Sequence, residues 1–163
     1  MNKQKPREAI QLKGFFRVQI ENGHDGKIVG DSGWIENLIT NEGYDDYLCR
    51  LLAATDSSKQ LGYMGIGTGT DPAAANTTLN GEIDTTGAER KSLTVSISQS
   101  KTVRFTATFG STDSFLGGTS NIRNLGLFDN NSSNGVLFAG KSFASSQCDT
   151  NQNVNCTYDI QFS

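Results

Sequence analysis

The chain has 163 residues, a formal net charge of -3 and a sequence pI of about 5.1, so it lacks the basic excess of a nucleic-acid-binding surface. Charged residues make up only 19% and hydrophobic residues 35%, with Gly, Ser, Thr and Asn in their place, which favours strands and loops over a helical bundle. No apolar run approaches the roughly 20 residues of a membrane-spanning helix. We therefore expect one domain, with neither nucleic acid nor a membrane as its partner.

The N-terminal segment is polar and carries four cations in an otherwise acidic protein: Lys3, Lys5, Arg7 and Lys13. It has no apolar signal core, so we expect a protein that is made in the cytoplasm and stays there or leaves by another route. We assign residues 1–13 to a polar arm and residues 14–163 to a single β-rich domain. The arm is either a disordered tail or a contact for a negatively charged partner.

The first predicted element is a half-buried strand, because Phe16, Val18 and Ile20 alternate with more polar neighbours. A turn rich in Asn and Gly follows at residues 22–26. We predict a hairpin that runs from Phe15 to Ile39. Trp34 lies inside it and is predicted to fill the core or a seam between subunits.

The spacing of apolar residues changes to that of a helix over about residues 41–54. Thr40 or Asn41 can cap the start of this helix. One face of this amphipathic α-helix would carry five apolar residues: Tyr44, Tyr47, Leu48, Leu51 and Leu52. We place Cys49 in the same stripe and predict a buried thiol. Asp45 and Asp46 would point about 100° apart, so we interpret them as charges near the helix N-terminus and not as an acid/base pair.

Four closely spaced glycines at residues 62–69 raise the question of a nucleotide site. No Lys-[Ser/Thr] pair follows them, and they lack the G-x-G-x-x-G spacing between a strand and a helix. We predict instead a strand with Tyr63 on one face and Met64 and Ile66 on the other. Its glycines would let a second backbone or a bulky ring pack close.

The second half of the chain is predicted to be a series of short strands, including residues 121–129 and 135–143. Three further strands each place their apolar residues on one face: Leu93, Val95 and Ile97; Val103, Phe105, Ala107 and Phe109; Cys156, Tyr158, Ile160 and Phe162. The pattern predicts a mainly β fold, an antiparallel β-sandwich or jelly-roll-like barrel with one amphipathic helix. We expect its core to contain Phe16, Val18, Phe105, Phe109, Leu127, Phe138 and Ile160.

The sequence shows no local constellation for catalysis, metal binding or cofactor binding. There is one histidine, His24, and the three cysteines include no C-x-x-C pair. Cys148 and Cys156 bracket a polar loop and would form a disulfide only under oxidising conditions and with facing side chains. We expect no enzyme activity, no cofactor, no metal and no small-molecule substrate. A site assembled from distant residues, such as the carboxylate pair of a glycosidase, stays open as an alternative.

Several motifs, taken in order, are similar to a widespread family of tailed-bacteriophage virion proteins over roughly residues 35–143. They are N-L-I-T-N-E-G at residues 37–43, then Gly67, Thr68, Gly69 and Thr70 with Pro72 nearby, T-L-N-G-E at 78–82, F-T-A-T-F at 105–109 and G-L-F at 126–128. The family often has Glu-Ile or a similar pair before G-L-F, where this chain has Arg-Asn-Leu. The resemblance implies a structural role in a virion and makes the G-T-G-T loop a fold signature.

The resemblance implies a tail, fibre, baseplate or head-surface component. Because the chain is short, forms a single domain and lacks the long repetitive shaft of a fibre, we expect a capsid decoration, or cement, protein that is located in the virion after assembly in the host cytoplasm. It would form a homo-oligomer, with a trimer favoured, and bind the major capsid protein or another virion protein. Lys3, Lys5, Arg7 and Lys13 would contact that partner. The alternative is a tail-fibre or baseplate module that binds host-surface carbohydrate, which exposure of Trp34 or Tyr63 would favour. A carbohydrate-binding or hydrolytic domain is the third class.

Overall fold

The computed structural model describes residues 11–52, 59–84 and 90–162. Within these ranges the chain forms ten strands and a short helix, α1, which comprises a π-helical segment at Gly43–Cys49 and an α-helical turn at Arg50–Leu52. A 3-10 turn lies at Ser111–Asp113. The strands are β1 (Leu12–Asn22), β2 (Ile28–Asp31), β3 (Ile35–Ile39), β4 (Tyr63–Gly67), β5 (Lys91–Ser92), β6 (Thr94–Gln99), β7 (Thr102–Phe109), β8 (Ser120–Phe128), β9 (Leu137–Cys148) and β10 (Gln152–Phe162).

The strands form one strongly curved antiparallel sheet, in the order β5-β4-β8-β9-β3-β1-β10-β7-β6, with β2 beside β1. β3 joins the two halves because residues 35–37 pair with β1 and residues 38–39 pair with β9. β5 and β6, at opposite ends of this order, are separated along the chain by Leu93 alone. The sheet is therefore a nearly closed barrel with two packed halves, and the predicted mainly β, antiparallel fold is confirmed.

The alternating strand residues meet in one core between the two halves of the sheet. Phe16, Val18 and Ile20 are buried as predicted, and the Phe16 ring packs edge-on against Phe143 with the ring centroids 5.8 Å apart. All seven residues that we expected in the core are buried. The predicted pairings within residues 15–39 and across the turn at residues 99–101 are also present. Alternation thus identified the inward faces of the strands that contribute these seven residues.

The helix differs from its prediction in type and in the face it buries. Thr40 accepts a hydrogen bond from the Gly43 amide at 3.1 Å, as expected of a residue at a helix start. The following turns are π-helical, and their i→i+5 bonding makes each turn wider than in an α-helix. The apolar stripe is therefore rotated: Tyr47 is buried while Tyr44, Cys49 and Leu51 are exposed. The prediction of a buried Cys49 is wrong, and the predicted end of the helix at residues 53–54 lies outside the described residues.

β6 is another departure, because all six of its residues are exposed. Val95 and Ile97 pair with Phe105 and Val103 of β7 and share their inward-facing side of the sheet. Other parts of the fold pack against Phe105, which is buried, but they do not pack against Val95 and Ile97 of β6. Two apolar side chains that alternation predicts on a half-buried face are consequently left bare.

Candidate functional site

The glycines of the G-T-G-T loop face another stretch of the chain's own backbone. Gly67 bridges to Glu82, and the Thr68 amide donates to the Gly81 carbonyl at 2.9 Å. A Cβ atom on Gly67 would lie 2.6 Å from the Gly81 oxygen, which is closer than real Cβ contacts. The space beside these glycines is thus filled by residues 80–82, and the loop has no room for a phosphate there.

Asn124 ties this loop to the neighbouring strand from a fully buried position. Its Nδ2 atom donates to the carbonyls of Asn80 at 2.7 Å and Thr70 at 3.2 Å. Asn124 belongs to the Arg-Asn-Leu stretch in which the chain departs from the family motif. Nothing in the local sequence indicated its contacts, because its partners are 44 and 54 residues away.

Asp71 and Pro72 complete the loop on its outer side. Asp71 accepts hydrogen bonds from the Ser142 amide at 2.6 Å and from Lys141 Nζ at 2.9 Å. Burial opposes ionisation of Asp71, but the bonds from Ser142 and Lys141 outweigh it and lower the pKa of Asp71 to about 2. Pro72 lies beside Gly140 of β9. The predicted fold-signature loop therefore begins at the end of β4, and its later residues contact β8 through Asn124 and β9 through Gly140.

A polar cleft of about 370 Å³ lies beside this loop and is lined by Glu82, Asp84, Arg90, Asn131, Ser132 and Ser133. Arg90 is buried at its centre and packs over the Phe128 ring, with Cζ 3.4 Å from the ring centroid. Its guanidinium donates twice to Glu82, at 2.5 and 2.9 Å, and Nη1 donates to the carbonyls of Asn130 and Ser132. These bonds engage four of its five N–H groups, so Arg90 acts here as a structural pin.

Of the four cationic residues that we expect to contact a partner, only Lys13 lies within the described residues. Lys3, Lys5 and Arg7 lie outside the described residues. Lys13, which we assigned to the arm, is instead part of β1, and its Nζ lies 3.6 Å from a carboxylate oxygen of Glu36. Both partners are about half exposed, so water and salt screen this pair.

Cys148 and Cys156 are free, buried thiols in the structure. Cys148 ends β9 and its Sγ donates to the Asp149 carbonyl, while Cys156 lies inside β10. Burial raises the pKa of Cys148 to about 11 and raises that of Cys156 further. The predicted disulfide is not formed in this structure and stays a prediction for oxidising conditions.

An apolar groove of about 310 Å³ runs between α1 and the β6-β7-β10 end of the sheet. Its floor includes the buried rings of Tyr47, Phe105 and Phe138. Its rim carries Leu51, Val95 and Phe162, which are 59%, 54% and 38% exposed, and Ile97 beyond them is 81% exposed. We call these four side chains the β6 rim. They belong to three separate parts of the chain, which the fold brings to one edge.

The outer face of the sheet presents a different chemistry around Trp34. This side chain is 48% exposed, so its prediction as a core residue is wrong, while a seam between subunits stays untested. A shallow cleft of about 300 Å³ surrounds it, lined by Phe15, Trp34, Gln99, Arg104, Asp159 and Gln161. Tyr63, the other aromatic residue considered, is half-buried. We call this depression the Trp34 cleft.

Within the described ranges, no three His, Cys, Asp or Glu side chains come together as a group that could hold a metal ion. The same part of the chain contains no helix with the length and apolar character needed to span a membrane. The two surfaces that stand out are therefore the β6 rim and the Trp34 cleft.

Comparison of the chain with protein-family models, with curated proteins and with solved structures finds no match. The resemblance to virion proteins accordingly stays a hypothesis that depends on the order of short motifs. Function has to be argued from the two surfaces themselves.

Proposed function

We propose that this chain is a non-enzymatic structural protein of a tailed-bacteriophage virion. In this proposal it is a capsid decoration protein, assembles as a homo-oligomer and binds the major capsid protein or another virion protein. The observation that carries the assembly part is the β6 rim, a set of exposed apolar side chains beside the edge strand β6. The virion part depends on the motif order described above.

β6 has the chemistry of a strand that is covered in the working molecule. It pairs only with β7 among the described residues, which leaves the backbone groups of its other edge unpaired. Residues 92–100 include no charged side chain and no proline. Proteins usually protect such an edge with Lys, Pro or a bulge, because a long uncharged edge pairs with other chains. β6 has one irregularity in its pairing with β7, between Ile97 and Gln99 near its end, and its uncharged residues 94–97 precede it. An intermolecular contact would bury both the strand edge and the rim.

The other prominent motif residues support a structural role. The G-T-G-T loop, Asn124 and the Arg90–Glu82 pair hydrogen-bond to the chain's own backbone and side chains. Most of their polar atoms therefore hold loops against strands, whereas the buried Asn124 Oδ1 has no hydrogen-bond partner among the described residues. This distribution suits a protein that acts through its surface, and we propose that it has no enzyme activity.

Self-association is tested by sedimentation equilibrium on Val95→Lys and the matched control Val29→Lys. The two valines are 54% and 51% exposed, and Val29 lies on β2, away from the β6 rim. We expect the native chain and Val29→Lys to sediment as the same oligomer, with a trimer favoured, and Val95→Lys to shift towards monomer. Loss of association in both variants, or in neither, contradicts a role for β6.

The virion location is tested by counting copies in purified particles by quantitative mass spectrometry. A ratio of one per major capsid subunit, or a simple fraction of it, supports a decoration protein. A few to a few dozen copies would place the chain in the tail instead. Absence from particles would contradict every virion assignment. The result on self-association through β6 would not be affected.

A tail-fibre or baseplate module is the second candidate, and the exposure of Trp34 favours it. An indole on an open sheet face is suited to contact a surface outside the particle. The copy number per particle distinguishes this candidate from a decoration protein. That measurement is independent of whether the Trp34 cleft binds a ligand.

A further inference from the structure

The antiparallel register of three strands builds the floor of the Trp34 cleft. Phe15 of β1 is paired with Asp159 of β10, and Asp159 is paired with Arg104 of β7. Their side chains are therefore direct neighbours in one row across the outer face of the sheet. Trp34 immediately precedes β3, which pairs with β1 on the other side of this row. Rigid strands thus position the whole floor.

The ion pair in this row holds the cleft in a fixed shape. Arg104 Nε and Nη2 donate to the two carboxylate oxygens of Asp159 at 2.8 and 2.7 Å, which fixes the guanidinium plane. The Asp159 side chain is only 9% exposed. Arg104 Cζ lies 5.6 Å from the centroid of the Trp34 ring, within the range of a cation–π contact. The indole is consequently supported on one side while about half of it faces solvent.

The cleft combines three kinds of group. Trp34 provides an aromatic side chain that is about half exposed, and the Gln99 and Gln161 side-chain amides each provide hydrogen-bond donors and an acceptor. The charge of Arg104 is balanced by Asp159, and that of nearby Lys13 is balanced by Glu36. Sugar rings match these features: their C–H faces pack on aromatic rings, and their hydroxyls both donate to and accept from amides.

We propose that the Trp34 cleft is a carbohydrate-binding site for neutral sugar rings. Trp34 is the platform on which a ring packs, and Gln99 and Gln161 bond the hydroxyls at its edge. The near-zero net charge of the cleft favours a neutral glycan over an acidic one, because the guanidinium of Arg104 is already paired with Asp159 and offers an anion little net attraction. The site does not depend on a virion role, since the same chemistry operates on any oligomer of this chain.

Trp34 is the chain's single tryptophan, so its fluorescence reports directly on the cleft. The probes are dextran, mannan and a β-1,3-glucan as neutral polysaccharides, with dextran sulfate as the anionic comparator. Lys101, which lines a neighbouring depression with Gln99 and Gln161, makes that comparator necessary. We expect at least one neutral polysaccharide to shift the emission to shorter wavelength in a saturable way. No shift with any of the three neutral polysaccharides overturns the proposal.

Electrophoresis through native gels that contain the same polysaccharides tests the residue assignment. Trp34→Ala should lower the apparent affinity at least tenfold and Trp34→Phe less, while the control Tyr44→Ala keeps native retardation. Tyr44 is 44% exposed and lies on α1, outside the cleft. Retardation that survives in Trp34→Ala, or that occurs only with dextran sulfate, overturns the site. If the emission shifts with protein concentration in the absence of polysaccharide, the cleft is a contact between copies of the chain and the proposal is overturned.

Discussion

Arg90 shows how one charged side chain can be buried when its hydrogen-bond donors are engaged. Only 4% of its side chain is exposed, and its partner Glu82 is 17% exposed. Burial of two charges is costly, and here the cost is offset by paired hydrogen bonds, two backbone carbonyls and the Phe128 ring. Removal of one partner should therefore cost far more than loss of a surface pair.

We predict that Arg90→Met lowers the free energy of unfolding by about 3–5 kcal/mol, because the Glu82 carboxylate loses its charged partner. The matched control is Arg50→Met, which breaks the exposed pair with Asp46 and should cost less than about 1 kcal/mol. Urea unfolding of both variants measures the difference. Equal losses in the two variants would show that Arg90 is not a structural pin. Addition of Glu82→Gln to Arg90→Met should restore part of the stability.

Asn37 and Tyr158 are residues whose surroundings the sequence did not indicate. The Tyr158 hydroxyl and both polar atoms of Asn37 are buried, and within the described chain none has a hydrogen-bond partner of good geometry. Both side chains lie over Gly14, where a Cβ atom would collide with them. Asn37 begins the N-L-I-T-N-E-G motif, whose Ile39, Thr40 and Gly43 are also buried. Packing therefore accounts for Ile39, Thr40 and Gly43, whereas the buried polar atoms of Asn37 are not explained by it.

At the scale of elements, β4 is distinguished by how closely other backbone approaches it. Gly65 lies beside the Phe128 ring, and Gly67 lies beside the backbone of Gly81. This arrangement confirms the prediction that the alternate glycines admit a ring or a second backbone. It also explains why a glycine-rich stretch occurs here without a phosphate site.

We predict that Gly67→Ala destabilises the fold by about 1–3 kcal/mol, since the new methyl group would meet the backbone of Gly81 and the Asn124 amide. Gly118→Ala is the control, because a Cβ atom there has no neighbour within 4 Å. That change should be neutral or stabilise by up to about 1 kcal/mol. Thermal unfolding followed by circular dichroism compares them. A midpoint for Gly67→Ala as high as that for Gly118→Ala would contradict the close packing.

For the whole molecule, thiol accessibility reports on the integrity of the core. Cys49 is exposed, whereas Cys148 and Cys156 are buried and burial raises the pKa of both thiols, so only Cys49 is accessible to a reagent in solution. We predict that a chromogenic disulfide reagent rapidly titrates one thiol in the native reduced protein and three in denaturant. Cys49→Ser should abolish the rapid phase alone.

Two rapid thiols in the native protein would contradict the burial of the β9–β10 end. The same reagent can be used on denatured protein before and after reduction. One intramolecular disulfide removes two thiols, so a count of two before reduction and three afterwards cannot be explained by it. A single thiol before reduction and three afterwards would be the expected result if Cys148 and Cys156 had paired.

The sequence by itself determined most of the strands, the inward faces of those that line the core and the antiparallel class of the fold. Period-two alternation depends only on neighbouring residues, and it correctly placed side chains such as Phe16, Phe105 and Ile160 in the core. The same local reasoning rejected a phosphate site at residues 62–69. It also identified the motifs whose contacts now explain the loops.

Tertiary structure alone decided which apolar side chains remain bare and which polar ones meet. Val95 and Ile97 alternate like core residues, but their exposure depends on whether another element covers β6. Arg104, Asp159 and Trp34 are distant in sequence, and only the pairing of β1, β10 and β7 places them together. Alternation shows which side chains of a strand share a face of the sheet. Strand order decides whether another element packs on that face and which side chains lie beside one another, and short-range patterns do not encode strand order. Both candidate surfaces therefore became visible only in the folded chain.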